Sequence, residues 1–471
     1  MNILKFKVGK LFRSKILKIS LLMVSTISIA SLFLTGCPKN GGEDNKKTIL
    51  TFWNHKVEVK EQLEKLAKMF QEKNPDVEIN IITHGGSGNY SEQFKTAANS
   101  GILPDLWNIA SFGEYQQSKD YIKCLDDMPL VKKMDERWLG SVKGFDNKIY
   151  GVPECVEGYG FVVNKLMFET VGIDTNSMYN WDGMITAFEK LKQAIDQKDA
   201  NLLAKFPNIS SVFLLALGEA WIQGNHSFVP FINEDFYIEN APKDYNPIHE
   251  AFKAKELPGK GFKDYKTFMD ILYSYSQNNA MSQKYDDVVD NGLFMKTGAV
   301  TQQGVWLASK IKQHEEQNKD GLSKELVMLP LNTPIKPQEK GKYVAYTGQY
   351  FVINKNVNDE KYKKIEKFLE FFFSPEIQEY YTNELCFISP IKGANQLFKD
   401  SSSFNETLKK AIKENNIIPG DLSVIKTEEF SREGVGTFLQ KYFATKDFSD
   451  QSFFKTVEEP SKNLWKQISG R

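Results

Sequence analysis

The chain has 471 residues, with 60 Lys and Arg against 60 Asp and Glu, a formal net charge of zero and four cysteines. This length exceeds a single domain of about 150 residues, which predicts two sizeable lobes with ample core. A neutral chain has no overall attraction for phosphate backbones, which argues against a nucleic-acid partner. Because 56 of the basic residues are Lys and only 4 are Arg, guanidinium clamps for phosphate or carboxylate are scarce.

The first 36 residues have the pattern of an export signal. A lysine-rich stretch precedes an apolar run over residues 19–34, which is shorter than the roughly 20 residues that span a bilayer. The run ends in Leu34-Thr35-Gly36-Cys37, which resembles the bacterial lipobox, where a diacylglyceryl group is attached to the cysteine after cleavage. We therefore expect a signal peptide over residues 1–36 and a lipid anchor on Cys37 that holds the protein on the extracellular or periplasmic face of the membrane. A short transmembrane anchor is the alternative.

Residues 37–47 are expected to form a lipidated flexible leash, because residues 38–47 contain adjacent glycines and no strong apolar residue. Three cysteines remain, Cys124, Cys155 and Cys386, and an odd number cannot all pair. This excludes a disulfide framework. Each is expected to be a small buried residue, although one internal pair remains open.

The next part of the chain alternates strands with helices. Residues 48–53 and 77–82 are β-prone, and residues 63–70 between them carry apolar side chains at helical spacing. A helix over about residues 90–98 and a third strand over residues 104–109 follow. This order predicts a βαβαβ unit with a parallel sheet, in which Trp107 belongs to the core.

Ligands of such sheets bind beyond the carboxyl ends of the strands. This rule selects three loops that should face one crevice: Asn54 to Lys56, Gly85 to Gly88, and Ala110 to Phe112.

A second region begins near residues 149–153. It contains a predicted strand at residues 161–164, a helix introduced by Trp181 and a buried apolar helix over residues 212–221. Residues 230–261 show no clear period and are predicted to be an irregular insertion.

The chain then returns to the first sheet. Residues 343–353 are predicted to be a strand and residues 365–372 part of a helix, and Ser374-Pro375-Glu376 is expected to cap a further helix. The return requires at least two crossings between the lobes, which favours a hinge. The expected boundaries are 48–155 with about 335–388 for lobe 1, and 156–334 with about 389–471 for lobe 2.

Motifs of common enzyme and metal sites are missing from the sequence. His249-Glu250 and His314-Glu315 begin like a zinc-protease motif, but neither continues to a second histidine. No metal or cofactor is therefore expected. Glu154 and Glu157 could form a glycosidase pair only if they lay on opposite sides of a scissile bond, which is unfavourable for residues three apart.

Several segments resemble the extracellular solute-binding proteins of ABC importers, specifically the sugar-binding group that includes maltose-binding proteins. The segments occur in that family's order: Thr51-Phe-Trp-Asn-His55; Pro104-Asp105-Leu-Trp; Tyr150-Gly-Val-Pro153 through Tyr159 to Asn164-Lys165; Gly298-Ala299-Val300 to Gly304-Val-Trp306; and Tyr346-Thr-Gly-Gln-Tyr-Phe-Val-Ile353 with Ser374-Pro375-Glu376 and Ser389-Pro390. Val163, Thr301 and Gln349 depart from the family pattern, which leaves the solute open.

The resemblance implies a two-lobed α/β fold of the periplasmic-binding-protein type (class II), with a sheet flanked by helices in each lobe. It also implies a monomeric, non-enzymatic receptor that binds a small solute, most simply a mono- or oligosaccharide, and delivers it to membrane permease subunits. The residues expected to contact ligand are Asn54, His55, Ser111, Phe112, Glu157, Tyr159, Trp306, Gln349 and Tyr350. Polyamine or peptide cargo, a lipid-anchored carbohydrate-active enzyme and a surface adhesin remain alternatives.

Overall fold

The structure, a computed structural model, describes residues 47–84, 90–394, 402–422, 425–426 and 429–470. Their strands are β1 Thr48–Asn54, β2 Val77–Thr83, β3 Leu106–Ile109, β4 Val152–Asn164, β5 Ser211–Phe213, β6 Gly298–Gly304, β7 Leu326–Leu329, β8 Tyr343–Ile353 and β9 Ile417–Pro419. All of these strands belong to one mixed sheet with the order β2-β1-β3-β8-β4-β6-β5, in which β7 also pairs with β4 and β9 with β8.

Helices cover both faces of this sheet. The α-helices are α1 Lys60–Lys73, α2 Tyr90–Ser100, α3 Phe112–Ser118, α4 Lys165–Thr170, α5 Trp181–Asp196, α6 Ala200–Lys205, α7 Val229–Phe236, α8 Pro247–Lys253, α9 Phe262–Ser274, α10 Tyr285–Val288, α11 Leu307–Asn318, α12 Leu322–Glu325, α13 Asp359–Phe372, α14 Gln378–Asn383, α15 Ser403–Lys413, α16 Thr437–Thr445, α17 Asp450–Phe453 and α18 Glu459–Ser469. The π-helical segments are Ile222–Ser227, Val289–Phe294, Glu429–Gly436 and Phe454–Glu458.

The predicted βαβαβ unit is confirmed. Strands β2 and β3 both pair with β1 in parallel, and α1 buries the face that carries Leu63, Leu66 and Phe70. Strand β8 then pairs antiparallel with β3, and α13 packs onto α1 through ring contacts such as Phe70 to Phe368 at 5.4 Å. Trp107 is fully buried, as expected for a core residue.

Strands β4 and β8 connect the two ends of the sheet. They pair antiparallel from Val152 to Tyr159, and the register shifts on both sides of Cys155. Such an irregularity bends a strand locally, because one residue is left out of the regular ladder. The register shift lies next to the boundary that the sequence suggests between the lobes, although the lobe boundaries themselves stay a prediction.

Three predictions of local structure are wrong. Residues 212–221 do not form a helix, because Ser211–Phe213 is a strand paired with β6 and an irregular segment follows it. The expected irregular insertion over residues 230–261 contains most of α7 and all of α8. Ser374 does not cap a helix, since α14 begins only at Gln378.

Candidate ligand-binding cavity

A cavity of about 480 Å³ lies where the loop after β1 meets the crossing strands β4 and β8. The π-helical segment Ile222–Ser227 and the start of α10 and α11 complete its walls. The lining residues are Lys56, Val57, Glu58, Glu157, Trp221, His226, Tyr285, Trp306, Ser309, Lys310, Gln313 and Tyr346. This volume is in the range of small-molecule sites in proteins.

Aromatic rings dominate one side of the cavity. The His226 ring lies 5.1 Å from the ring of Trp306 and 5.2 Å from that of Trp221, measured between centroids. Behind them the buried Tyr159 stacks on His226 at 4.7 Å and donates a hydrogen bond from its hydroxyl to the His226 carbonyl at 2.9 Å. The indole N–H of Trp306 donates to Gln303 Oε1 at 2.8 Å, which fixes the orientation of the ring. These contacts hold flat apolar surfaces toward the cavity.

His226 contributes no positive charge to this wall. Its surroundings are apolar rings, and burial lowers the pKa of the imidazole to about 3. The ring is therefore neutral at physiological pH, because the surrounding rings solvate a charged imidazole poorly.

An ion cluster also lines the cavity. The buried ammonium group of Lys56 contacts the carboxylate of Glu157 and lies 3.4 Å from that of Glu58. Burial alone would lower the pKa of Lys56, but the neighbouring carboxylates outweigh it and hold that pKa well above its ordinary value. The second oxygen of Glu157 accepts a hydrogen bond from the Tyr346 hydroxyl at 3.2 Å, across the β4–β8 pair.

Glu154 lies behind this cluster, at the register shift of β4. It is fully buried, and neither carboxyl oxygen has a hydrogen-bond partner among the described residues. Burial raises the pKa of Glu154 to about 8, even though the nearby Lys56 opposes the shift. Glu154 is therefore mainly protonated at neutral pH.

A family model for the bacterial extracellular solute-binding proteins matches residues 65–411, about three quarters of the chain. The chain belongs to this family. Its membership confirms the resemblance seen in the sequence.

Two curated relatives agree with this assignment. The multiple sugar-binding protein of Streptococcus mutans is 25% identical over 179 residues, which cover 36% of this chain and 40% of that protein. An uncharacterized ABC transporter extracellular-binding protein of Pyrococcus horikoshii is 27% identical over 195 residues, which cover 37% and 43% of the two chains. The chain thus matches about two fifths of the length of these curated relatives.

Solved structures establish the fold of this solute-binding protein. RafE in complex with raffinose has a TM-score of 0.65 at 19% identity, covering 90% of this chain and all of RafE. A sugar transporter of Bacillus licheniformis in complex with stachyose has a TM-score of 0.64 at 16% identity, covering 89% and 100%. The α/β periplasmic-binding-protein fold that the sequence predicted is therefore confirmed.

Two of the sequence-predicted site residues, Glu157 and Trp306, line the cavity. Three others lie close to it without forming its wall. Tyr159 supports His226, and Gln349 is buried and contacts the His55 ring, with 3.3 Å between Nε2 and Nδ1. His55 also stacks on Tyr90 at 4.6 Å.

The remaining predicted residues lie within the packed structure outside the cavity wall. Asn54 is fully buried, and its side chain bonds the Lys56 backbone and the Thr83 hydroxyl, which shapes the loop that presents Lys56. Ser111 caps α3, while Phe112 and Tyr350 are fully buried. Their contact with ligand stays a prediction.

Ten further lining residues were not among the predicted contacts: Lys56, Val57, Glu58, Trp221, His226, Tyr285, Ser309, Lys310, Gln313 and Tyr346. Two of them carried a usable signal. Lys56 ends a loop that the strand rule had already selected, and Tyr346 lies in a strand that the sequence identified. Trp221 and His226 lie at and within the π-helical segment Ile222–Ser227, whose position depends on tertiary packing. Tyr285 lies on α10, and Ser309, Lys310 and Gln313 lie on α11.

Some expectations concern residues outside the described ranges, namely Cys37 and the Gly85 to Gly88 loop. Within the described ranges, no helix is long and apolar enough to cross a bilayer. Cys155 and Cys386 are buried, whereas Cys124 is exposed, so the expectation of burial was wrong for Cys124.

Proposed function

We propose that this solute-binding protein captures a saccharide in the cavity and delivers it to the permease subunits of an ABC importer. The presence of aromatic rings and hydrogen-bonding carboxylate and hydroxyl groups in one cavity carries the proposal. Sugars combine apolar C–H faces, which pack on rings such as Trp306, with hydroxyl edges that suit acceptors such as Glu157. The names of the sugar-binding relative and of the raffinose and stachyose complexes support this choice.

Binding would act by shifting an equilibrium between open and closed lobes. The cavity joins the loop after β1 to groups on α10 and α11, and the crossing strands β4 and β8 lie between them. A ligand that contacts both sides gains its full binding energy only when the lobes close, so it favours the closed state.

A thermal-shift screen of the mature chain tests the proposal. The panel holds mono- and oligosaccharides, polyamines, amino acids and phosphate. A ligand at 100 times its Kd adds about 2.7 kcal/mol to the free energy of unfolding, which gives a measurable rise in Tm. We expect saccharides to give the shift. A shift with polyamines or amino acids alone would refute the saccharide assignment, and no shift at all would favour the adhesin alternative.

We also propose that the ligand leaves the cavity chemically unchanged. Glu154 has no exposed surface, so it is unable to touch a glycosidic bond in the cavity, and Glu157 is held by Lys56. Mass spectrometry of the bound saccharide after prolonged incubation checks this directly, since any cleavage product would support the enzyme alternative.

Replacing Trp306 with alanine is expected to weaken saccharide binding by more than about 1 kcal/mol, at least fivefold in Kd, because a stacking surface is lost. Titration calorimetry with the best saccharide from the screen measures the effect. Trp53→Ala is the control, since Trp53 lies on β1 and does not line the cavity. Unchanged affinity in a folded Trp306→Ala protein would remove this ring from the site.

Replacing Cys37 with serine is expected to move the protein from the membrane fraction to the soluble fraction, because the acyl chains would have no attachment sulfur. Fractionation of cells that express each variant measures the distribution. Cys124→Ser is the matched control, since it removes an exposed thiol from the folded body. Membrane retention of Cys37→Ser through washes at high salt would contradict the lipoprotein assignment.

A further inference from the structure

The charged groups around the cavity are paired unevenly, with more carboxylates than ammonium groups. On the β1 side, Lys56 is bound between Glu157 and Glu58. Its ammonium group is buried, and both contacts are internal to the protein. Two carboxylates therefore surround one cation at this side.

The α11 side repeats this arrangement. The Lys310 ammonium group lies 2.7 Å from Asp286 and 3.0 Å from Asp290, and 4.9 Å from the centre of the Tyr285 ring. Partial burial would lower the pKa of Lys310, but the hydrogen bonds to the two aspartates outweigh it and raise that pKa. Lys310 thus keeps its charge and is also held by two carboxylates.

These two clusters carry four carboxylates and two ammonium groups, a net charge of −2. Glu58 and Glu157 line the cavity with the two lysines, whereas Asp286 and Asp290 contact Lys310 from outside the lining. The other polar lining groups, such as Ser309 and Gln313, are uncharged, and His226 is neutral. No arginine lines the cavity among the described residues. An anionic ligand would have to displace a carboxylate from one of the lysines, whereas a cationic ligand would meet an excess of negative charge.

We propose that the cavity rejects anionic saccharides and binds saccharides that carry a protonated amino group more tightly than their neutral counterparts. The inference rests on the proposed saccharide function and narrows it to a charge class. It is argued from one geometric observation, which is that two carboxylates contact the ammonium group of each cavity lysine.

The test uses three β-1,4-linked glucopyranose trimers that differ in charge: cellotriose, the glucosamine trimer, and cellotriose oxidised to carboxylates at C6. A second set holds galactose, galactosamine and galacturonate. Titrations use the full chain at pH 6 and low salt, in a detergent without a sugar headgroup. We expect the amine to bind about tenfold more tightly than the neutral member of its set, and the acid at least tenfold more weakly.

The outcomes separate this inference from the function on which it rests. Equal affinity across a set, or tighter binding of the acid, overturns the charge selectivity while leaving saccharide binding intact. If no member of either set binds and no saccharide in the panel gives a thermal shift, both the proposed function and this inference are refuted. Binding of the neutral members alone overturns the preference for amines.

A double variant tests whether the carboxylates around Lys310 cause the charge selectivity. Asp286→Asn with Asp290→Asn leaves Lys310 charged and without its carboxylates, so the acid should gain at least fivefold in affinity relative to the amine. The control carries Glu239→Gln and Glu316→Gln, which remove two exposed carboxylates that do not line the cavity. Equal changes in both variants would mean that overall charge, and not the Lys310 cluster, sets the preference. In the double aspartate variant, we also expect the affinity for the amine to depend less on salt concentration than in the unmodified chain.

Discussion

Replacing Lys56 with methionine should lower the free energy of unfolding by about 3–5 kcal/mol. The Lys56 ammonium group is buried and contacts Glu157, and it also lies near Glu58. Removal of this cation leaves carboxylates in a poorly solvated site without their partner. The loss should therefore come from the uncompensated charge, since methionine fills a similar volume.

Urea unfolding of the mature chain measures this effect. The matched control is Lys73→Met, because Lys73 pairs with Glu376 on the surface, where both side chains are about half exposed. That variant should lose no more than about 1 kcal/mol. Adding Glu157→Gln to Lys56→Met should recover part of the loss, as expected for two directly coupled residues. Equal small losses in both lysine variants would show that the Lys56 cluster is well solvated.

Replacing Glu154 with glutamine should stabilise the protein increasingly as the pH rises from about 5 to 8.5. Burial raises the pKa of Glu154 from its ordinary 4.5 to about 8. At a pH below the ordinary pKa, the Glu154 carboxyl is protonated in both the folded and the unfolded chain. Between the two values the unfolded chain releases the proton while the folded chain keeps it, so the wild type loses stability as the pH rises. At about 1.36 kcal/mol per unit of pKa shift, the stability that the wild type loses relative to Glu154→Gln over this pH range is at most about 5 kcal/mol.

The measurement is the difference in Tm between Glu154→Gln and the wild type across this pH range. The gap should be small near pH 5 and reach several degrees by pH 8.5. Glu61→Gln serves as control, because Glu61 is exposed on α1 and its replacement leaves the buried Glu154 in place. A constant gap for Glu154→Gln would contradict the buried, protonated state of this carboxyl.

The βαβαβ unit was predictable because local periodicity and global fold agree there. Apolar spacing in α1 matches the face that it buries, and β1 to β3 are bounded by clear turn residues. Agreement of this kind fails over residues 212–221, where a short apolar run fits a strand and a buried helix equally well. Only the pairing of β5 with β6 decides between them.

The candidate site was less predictable because its residues come from distant parts of the chain. The sequence identified Trp306 through a Gly-x-Trp segment that resembles the family's, and Glu157 through its place beside the predicted hinge. It did not identify Trp221 or His226, which depend on how a π-helical segment packs against Tyr159. Asn54, a predicted contact residue at the end of β1, is a fully buried partner of the loop backbone, and its contact with ligand stays a prediction.

A crystal structure of the mature chain with the best saccharide from the screen would show whether this cavity is the ligand site. We expect a sugar ring packed face-on against Trp306, with a hydroxyl group hydrogen-bonded to Glu157, and an unbroken glycosidic bond. Aromatic packing and convergent polar groups at one cavity require this pose. A saccharide bound elsewhere, with no contact to either residue, would contradict the assignment of this cavity as the ligand site.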